Sequence, residues 1–232
     1  MTDAAISAIV WLSLKVAFTV VALGLPLALA LAYLLARRDF PGKLALDTLL
    51  HAPLVVPPVV VGYGLLLLFS PAAPLGGWLE AHGLGLAYRW QGAALAALVM
   101  ALPLMVRAIR QAFEAEDPAL GQSLATLGVP PRRRFFMLSL PLALPGIATG
   151  AALGFARALG EFGATITFVA NIPGQTQTLP LAIYTAAQSP GGETTAMHLA
   201  LISLVPALAS LGLSEWISRR ARRRRGLLGA AR

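Results

Sequence analysis

Arg157 and Glu161 stand four residues apart in a long apolar run. On a helix they share a face and can pair. An ionisable side chain at membrane depth costs roughly 2.5–3.5 kcal/mol on insertion scales and usually faces a bundle interior or cavity. Two roles follow from the residue types: a self-satisfied pair that fixes helix packing, or part of a path and gate for a charged solute. A second cluster, HAPLVVPPVVVGYG, holds Pro53, Pro57 and Pro58 with Gly62 and Gly64 behind them. Each proline removes a backbone donor and frees a carbonyl. Inside a membrane such backbone is tolerated where protein or a water-filled cavity covers it, and interrupted helices of this kind often line a pathway. Close packing of proline and glycine is the alternative reading.

Other chemistry is missing. There is no GxxxxGK[ST] phosphate loop, so ATP hydrolysis by this chain is not expected. No nucleophile–base constellation or metal-ligand cluster is visible, and Glu161 has no companion carboxylate for a proton relay. His51 and His198 are lone histidines near the ends of apolar runs, expected to cap or pack. With no cysteine, disulfides, thiolate metal sites and cysteine nucleophiles are excluded. No catalytic role, metal or cofactor is expected.

The elements that must position these residues are membrane helices. The chain is 57% hydrophobic and 12% charged, against about 25% charged in a soluble domain, with mean hydropathy +0.74. Apolar runs long enough to cross a core of about 30 Å as helix recur along it, and no alternating barrel pattern is seen. The expected fold is an all-α, polytopic membrane bundle, one domain over 1–232. Its spans are expected at 6–36, 48–69, 90–106, 142–169 and 195–217. The fourth is longer than a straight crossing needs, so it is expected to tilt or break near Gly160. A shorter apolar stretch, 179–187, reads as a re-entrant or interfacial helix on the far side. Pro103, Pro206, Gly150 and Gly154 lie inside other spans.

Charge sets the orientation. Of the 18 Lys and Arg residues, 15 fall in the first connecting loop, the central loop with its flanks, and the tail. The positive-inside rule then places these regions in the cytoplasm and the N-terminus outside. The run 16–35, with Ala28 and Ala30, imitates a secretory signal, but Asp3 precedes it and Arg37 and Arg38 follow, the reverse of a signal's charge order. An uncleaved anchor is expected. The formal net charge of +8 is no nucleic-acid signal, because no aromatics interleave with the RRARRRR tail. The basic cytoplasmic tail, 218–232, is expected to face anionic lipid. Lys15, near one end of the first span, is expected to snorkel.

The central loop, 114–141, is polar between two apolar runs. Asp117-Pro118 offers an N-cap with proline at the first helical position. Residues 119–127 then read as a short helix with Leu120, Leu124 and Leu127 at three- and four-residue spacing. Gly128 is its expected C-cap, and Pro130-Pro131 enforces the stop. A second helix starts at Arg132, Arg133 and Arg134 with Phe135 and Phe136, and runs back into the membrane. A short helix held rigidly at the surface suits helix-in-groove docking; a plain connector on the lipid surface is the other reading.

Gly128, then nine residues, Leu138, one residue, and Leu140-Pro141 resembles the coupling loop of membrane subunits of binding-protein-dependent ABC importers. The Glu-Ala-Ala that names that loop reads Gln122-Ser123-Leu124 here, without its carboxylate. FARALGEFGATITFVANIPGQTQTLPLAIYTAAQSPGGE at 155–193 and LHAPLVVPPVVVGYGLL at 50–66 resemble molybdate-type permeases, as do FPGK at 40–43 and MALPLMVRAIRQAFE at 100–114. Sulfate permeases share a related GEFGA-type segment but tend to be longer. The resemblance implies a type I importer permease fold in a bacterial cytoplasmic (inner) membrane. It also implies a homodimeric pore, separate cytoplasmic ATPase subunits and a periplasmic molybdate-binding protein. It places 120–136, with Leu120, Gln122, Ser123, Leu124, Leu127, Gly128, Arg133 and Phe135, against the ATPase. It places Pro57, Pro58, Gly62, Arg157, Glu161, Phe162 and Thr165 along the path or its gate. A sulfate, thiosulfate or tungstate permease is the alternative within the class; an independent secondary carrier and a non-transporting scaffold are the alternatives outside it.

Overall fold

The computed structural model of the chain describes residues 2–229, apart from the side chains of 218 and 221–229. Among these residues the regular elements are helices: α1 (Asp3–Arg37), α2 (Lys43–His51), α3 (Pro58–Phe69), α4 (Pro74–Ala81), α5 (Trp90–Glu114), α6 (Pro118–Thr126), α7 (Pro131–Arg134), α8 (Leu140–Leu159), α9 (Gly163–Val169), α10 (Leu179–Gln188) and α11 (Glu193–Gly229). A 3₁₀ turn, Ala52–Leu54, follows α2, and a π-helical turn, Phe135–Ser139, joins α7 to α8.

Small residues at four-residue spacing build the centre. α5 lies between α1 and α8. It carries Ala93, Ala97, Ala101 and Met105, all buried, while α1 brings Gly24, Ala28 and Ala32. α8 brings Gly146, Gly150 and Gly154. A methyl group at Gly150 would sit 3.1 Å from the Met105 carbonyl, and one at Gly154 would reach the Met105 side chain. In lipid the hydrophobic effect gives helices little reason to associate, so close backbone approach and dispersion contacts hold them. Phe113, Leu35, Met105 and Ile109 fill the gaps and are fully buried. α11 is different: it packs on α8 and α10 but leaves Leu201, Leu204, Val205 and Leu208 exposed.

Three expected spans change shape. The second, expected as one helix over 48–69, is two helical pieces bent by 111°. Its prolines restart the helix rather than kink it. Pro57 is extended (ψ 134), as a residue before proline prefers, and Pro58 takes the first helical position, where a missing N–H costs nothing. The third, expected to stop at 106, continues as helix to Glu114. Arg110 lies in that extra turn and bonds Glu114 at 2.7 Å and Asp47 at 2.9 Å, so apolarity ends before the helix does. The fourth, expected over 142–169, starts earlier and ends sooner. Helical backbone runs from Pro131 to Leu159, and after residues 160–162 α9 sets off separately. By length and composition, among the described residues, four helices can cross a membrane, or five if the bent pair counts as one span. The tail expected over 218–232 lies, apart from Arg219 and Arg220, outside the described side chains. Arg219 pairs with Glu215, and Arg220 lies over the Trp216 ring.

Candidate functional site

The break between α8 and α9 is built around one carboxylate. α8 stops at Gly160, and Phe162 takes a non-helical conformation (φ −126, ψ −59) before α9 begins. The first N–H groups of a helix lack intrahelical partners and need an acceptor. Glu161 supplies it: Oε1 accepts from the Ala164 N–H at 2.8 Å. Its Oε2 forms an ion pair with Arg157 Nη1 at 2.5 Å. Glu161 is 2% exposed, so both oxygens are spent inside the protein, and a buried carboxylate needs that compensation. The pair is satisfied within the chain, and its carboxylate also shapes the backbone.

The bent second span meets this break through glycines. A methyl at Gly62 would collide with the Ala164 backbone, and one at Gly163 would come within 2.9 Å of Pro58 Cβ. Pro58 and Gly62 of α3 are thereby brought against Gly163 and Ala164 of α9, beside Glu161; Thr165, the next residue of α9, is 2% exposed. Phe162 points elsewhere and stacks on Tyr184 of α10 at 5.1 Å between ring centroids. Pro57 is exposed at the start of α3.

The polar loop forms a second region. The Asp117 carboxylate accepts from the Ala119 N–H at 2.9 Å and caps α6. Gly128 ends the turn at φ +74, in the left-handed region that glycine enters without a Cβ penalty. Its N–H donates to Ala125 at 3.0 Å, and that of Val129 to Leu124 at 3.0 Å. α6 buries none of its residues. Leu120 and Leu127 are 47% and 77% exposed, Gln122, Ser123 and Gly128 are exposed, and Leu124 is half-buried. Arg133 is exposed and its Nε lies 3.2 Å from Met137 Sδ.

Phe135 does not belong with this outward set. It is half-buried and stacks edge-on against Tyr33 at 4.9 Å, with Phe113 at 6.3 Å. Through these rings it ties the loop to the bundle. Reasoning from sequence missed the rest of this anchor. Arg37 Nη2 pairs with Glu116 Oε2 at 2.6 Å, Glu116 being 8% exposed, and Arg134 Nη1 donates to the Gly121 carbonyl at 3.1 Å. A lone Glu between a helix end and an Asp-Pro cap reads as a solvated residue, and no local signal pairs it with Arg37. The Lys15 ammonium lies 3.7 Å above the ring of Trp90, the first residue of α5. His51 is engaged as expected of a packing histidine, with Nδ1 at 2.8 Å from the Asp47 carbonyl. In the loop after α1, a hydrogen bond from Lys43, reinforced by its charge, holds the exposed Asp39 carboxyl below the usual range.

An all-helical bundle with a broken helix inside it and an exposed helix outside can be compared with known proteins. The family model described as binding-protein-dependent transport system inner membrane component matches residues 24–223. The chain belongs to that family. It is 53% identical over 218 residues to the molybdenum transport system permease protein ModB of Escherichia coli (strain K12), covering 94% of this chain and 95% of that one. Identity to the protein of the same name from Haemophilus influenzae is 49% over 216 residues, 93% of this chain and 94% of the relative. The sulfate transport system permease protein CysW of Escherichia coli (strain K12) is 33% identical over 199 residues, 84% of this chain and 68% of that protein. Among solved structures, a bacterial ABC transporter involved in importing the acidic polysaccharide alginate superposes with a TM-score of 0.75 at 17% identity, covering 95% of this chain and 80% of that one. An amino acid ABC transporter superposes at 0.63, also at 17% identity, over 93% and 94% of the two chains. At that identity the superpositions show the fold alone, which is that of the type I ABC importer permeases. The family is one of inner-membrane components of transport systems.

Proposed function

We propose that the chain is the permease subunit of an ATP-driven, binding-protein-dependent molybdate importer, two copies of which enclose the path. The observation that carries this reading is the 53% identity to a molybdenum permease over nearly the whole of both chains, set against 33% identity to a sulfate permease of which only 68% is covered. Hydrocarbon excludes a dianion, so the path must be walled by protein, and its sites must bind weakly enough to let the ion leave. The wall assigned here includes Pro57, Pro58, Gly62, Phe162 and Thr165, with Arg157 and Glu161 holding its shape. α6, with Leu120, Gln122, Ser123, Leu124, Leu127, Gly128 and the neighbouring Arg133, is the surface offered to a cytoplasmic ATPase; a periplasmic binding protein delivers the oxyanion. The distribution of Lys and Arg supports a periplasmic N-terminus and a cytoplasmic C-terminus, with the basic tail beside anionic lipid.

The test is reconstitution in lipid vesicles with the ATPase and binding protein. ATP-dependent accumulation of radioactive molybdate, competed more weakly by sulfate, is the expected result. Accumulation of sulfate in preference to molybdate would move the assignment to the sulfate class, and uptake without the ATPase would make the chain an independent carrier.

A further inference from the structure

α6 buries nothing, so a push on it would be lost in loop rotation unless both its hinges were pinned. Both are, and the pins converge on one helix. Before α6, the carboxylate of Glu116 is held by Arg37 at 2.6 Å. After α6, Phe135 is seated against Tyr33 at 4.9 Å. Tyr33 and Arg37 are four apart on α1 and so share a face. At the other end of α1, Ser13 is 2% exposed. Its Oγ accepts from the Leu179 N–H at 2.7 Å and donates to the Ile9 carbonyl at 2.9 Å. Leu179 opens α10, whose first N–H has no intrahelical partner, so this bond fixes the start of α10 to α1. Five residues on, Tyr184 stacks on Phe162 in the break beside Glu161. Ser13 and Arg37 are separated by 24 residues of one helix, about 36 Å at 1.5 Å per residue.

We propose that α1 is the rod that carries displacement of the docking helix to α10 and the α8–α9 break, with Arg37–Glu116 and Ser13–Leu179 as its end pins. These four are positioning residues: none is assigned contact with the transported ion. The inference rests on the functional reading above for its partner, an ATPase seated on α6. It differs from a route through α5 and α8 alone by requiring Ser13, far from the loop. A hydrogen-bonded, packed series of this kind can transmit strain only if its members shift together, which is what the experiment measures.

The reconstituted complex of permease, ATPase and binding protein is compared as wild type, Glu116→Gln, the reversed pair R37E with E116R, and Ser13→Ala. The measurement is oxyanion moved per ATP hydrolysed. Glu116→Gln is expected to assemble and to lower this ratio by about fivefold or more, the lower end of typical coupling strengths, with the reversed pair restoring most of it. Ser13→Ala is expected to lower the ratio too, although it lies nowhere near the loop. An unchanged ratio in either Glu116→Gln or Ser13→Ala overturns the proposal. If Glu116→Gln fails to assemble, Ser13→Ala decides alone. A second readout needs no transported solute: spin labels at Thr126→Cys and Gln188→Cys, with and without a non-hydrolysable ATP analogue. Their distance is expected to change in the wild-type background and not with Ser13→Ala. Failure of molybdate uptake with this distance change intact would sink the cargo assignment and leave the rod standing.

Discussion

The chain ends a helix twice at sites that matter, once at α6 in the polar loop and once at the α8–α9 break. The two ends are made differently. At α6 a surface aspartate caps one end and a left-handed glycine closes the other, with water free to complete whatever is left. At the break one buried glutamate accepts from the new helix and is itself paired with Arg157. A helix end in water is a matter of local residues. A helix end inside the bundle needs a charge pair and glycine contacts with α3. Changes at the break should therefore damage the fold, and changes at α6 should damage only what docks there.

The largest effect is expected for Gly62→Val, because even a methyl there collides with the Ala164 backbone and backbone cannot swing aside. Purified yield and thermal aggregation midpoint in detergent should both fall severely; near-normal values would show that α3 and α9 can separate. Next comes Glu161→Gln, which strands Arg157 and weakens the cap, at a cost of roughly 3–5 kcal/mol for breaking a buried pair. The reversal R157E with E161R sharpens this, since it keeps the charges but puts a donor where the Ala164 N–H needs an acceptor. Only part of the stability should return, and full recovery of stability and transport would mean that the pair matters and the cap does not.

Leu124→Asp is expected to leave global stability within about 1 kcal/mol of wild type, and Gly128→Pro to distort the end of α6 alone, while both uncouple hydrolysis from transport. Proline cannot take φ +74 and lacks the N–H that bonds Ala125. Normal stimulated transport in both variants would remove α6 from the docking surface. Asp117→Ala should cost about 1 kcal/mol of local helix stability, readable as faster hydrogen exchange confined to α6. The smallest effect is at Asp39. Its lowered pKa means that its bond to Lys43 stabilises the fold above the unfolded carboxylate value of about 3.9 and is lost as pH falls through the folded value. Asp39→Asn should thus lower the midpoint slightly at neutral pH and leave it unchanged near pH 2; a difference that grows on acidification would reverse the sign.

Much of the polar loop was legible because its signals are local. Asp117-Pro118 and Gly128 mark their helix ends whatever surrounds them, and the helix lies at Pro118–Thr126, within one residue of the 119–127 expected. Excess length likewise pointed to a break near Gly160, where α8 gives way to α9. The second span was less readable. Three prolines announce a disturbance, but a kink and a restart use the same residues, and only the seat of α3 on α9 selects the 111° bend. The seat of Phe135 was not legible because Phe135 and Phe136 are adjacent and alike in sequence; in the π-helical turn one stacks on Tyr33 while the other stays exposed.

Composition and apolar periodicity were enough to establish a helical membrane protein with a polar loop between two of its apolar runs. These are properties of single segments in a given solvent, and no tertiary contact can reverse them. What a buried carboxylate pairs with was decided only by the fold, because Glu161 and Glu116 read the same in sequence whichever donor they meet. That pairing depends on which donor the folded chain brings within 3 Å, and for Glu116 that donor, Arg37, comes from 79 residues away in sequence.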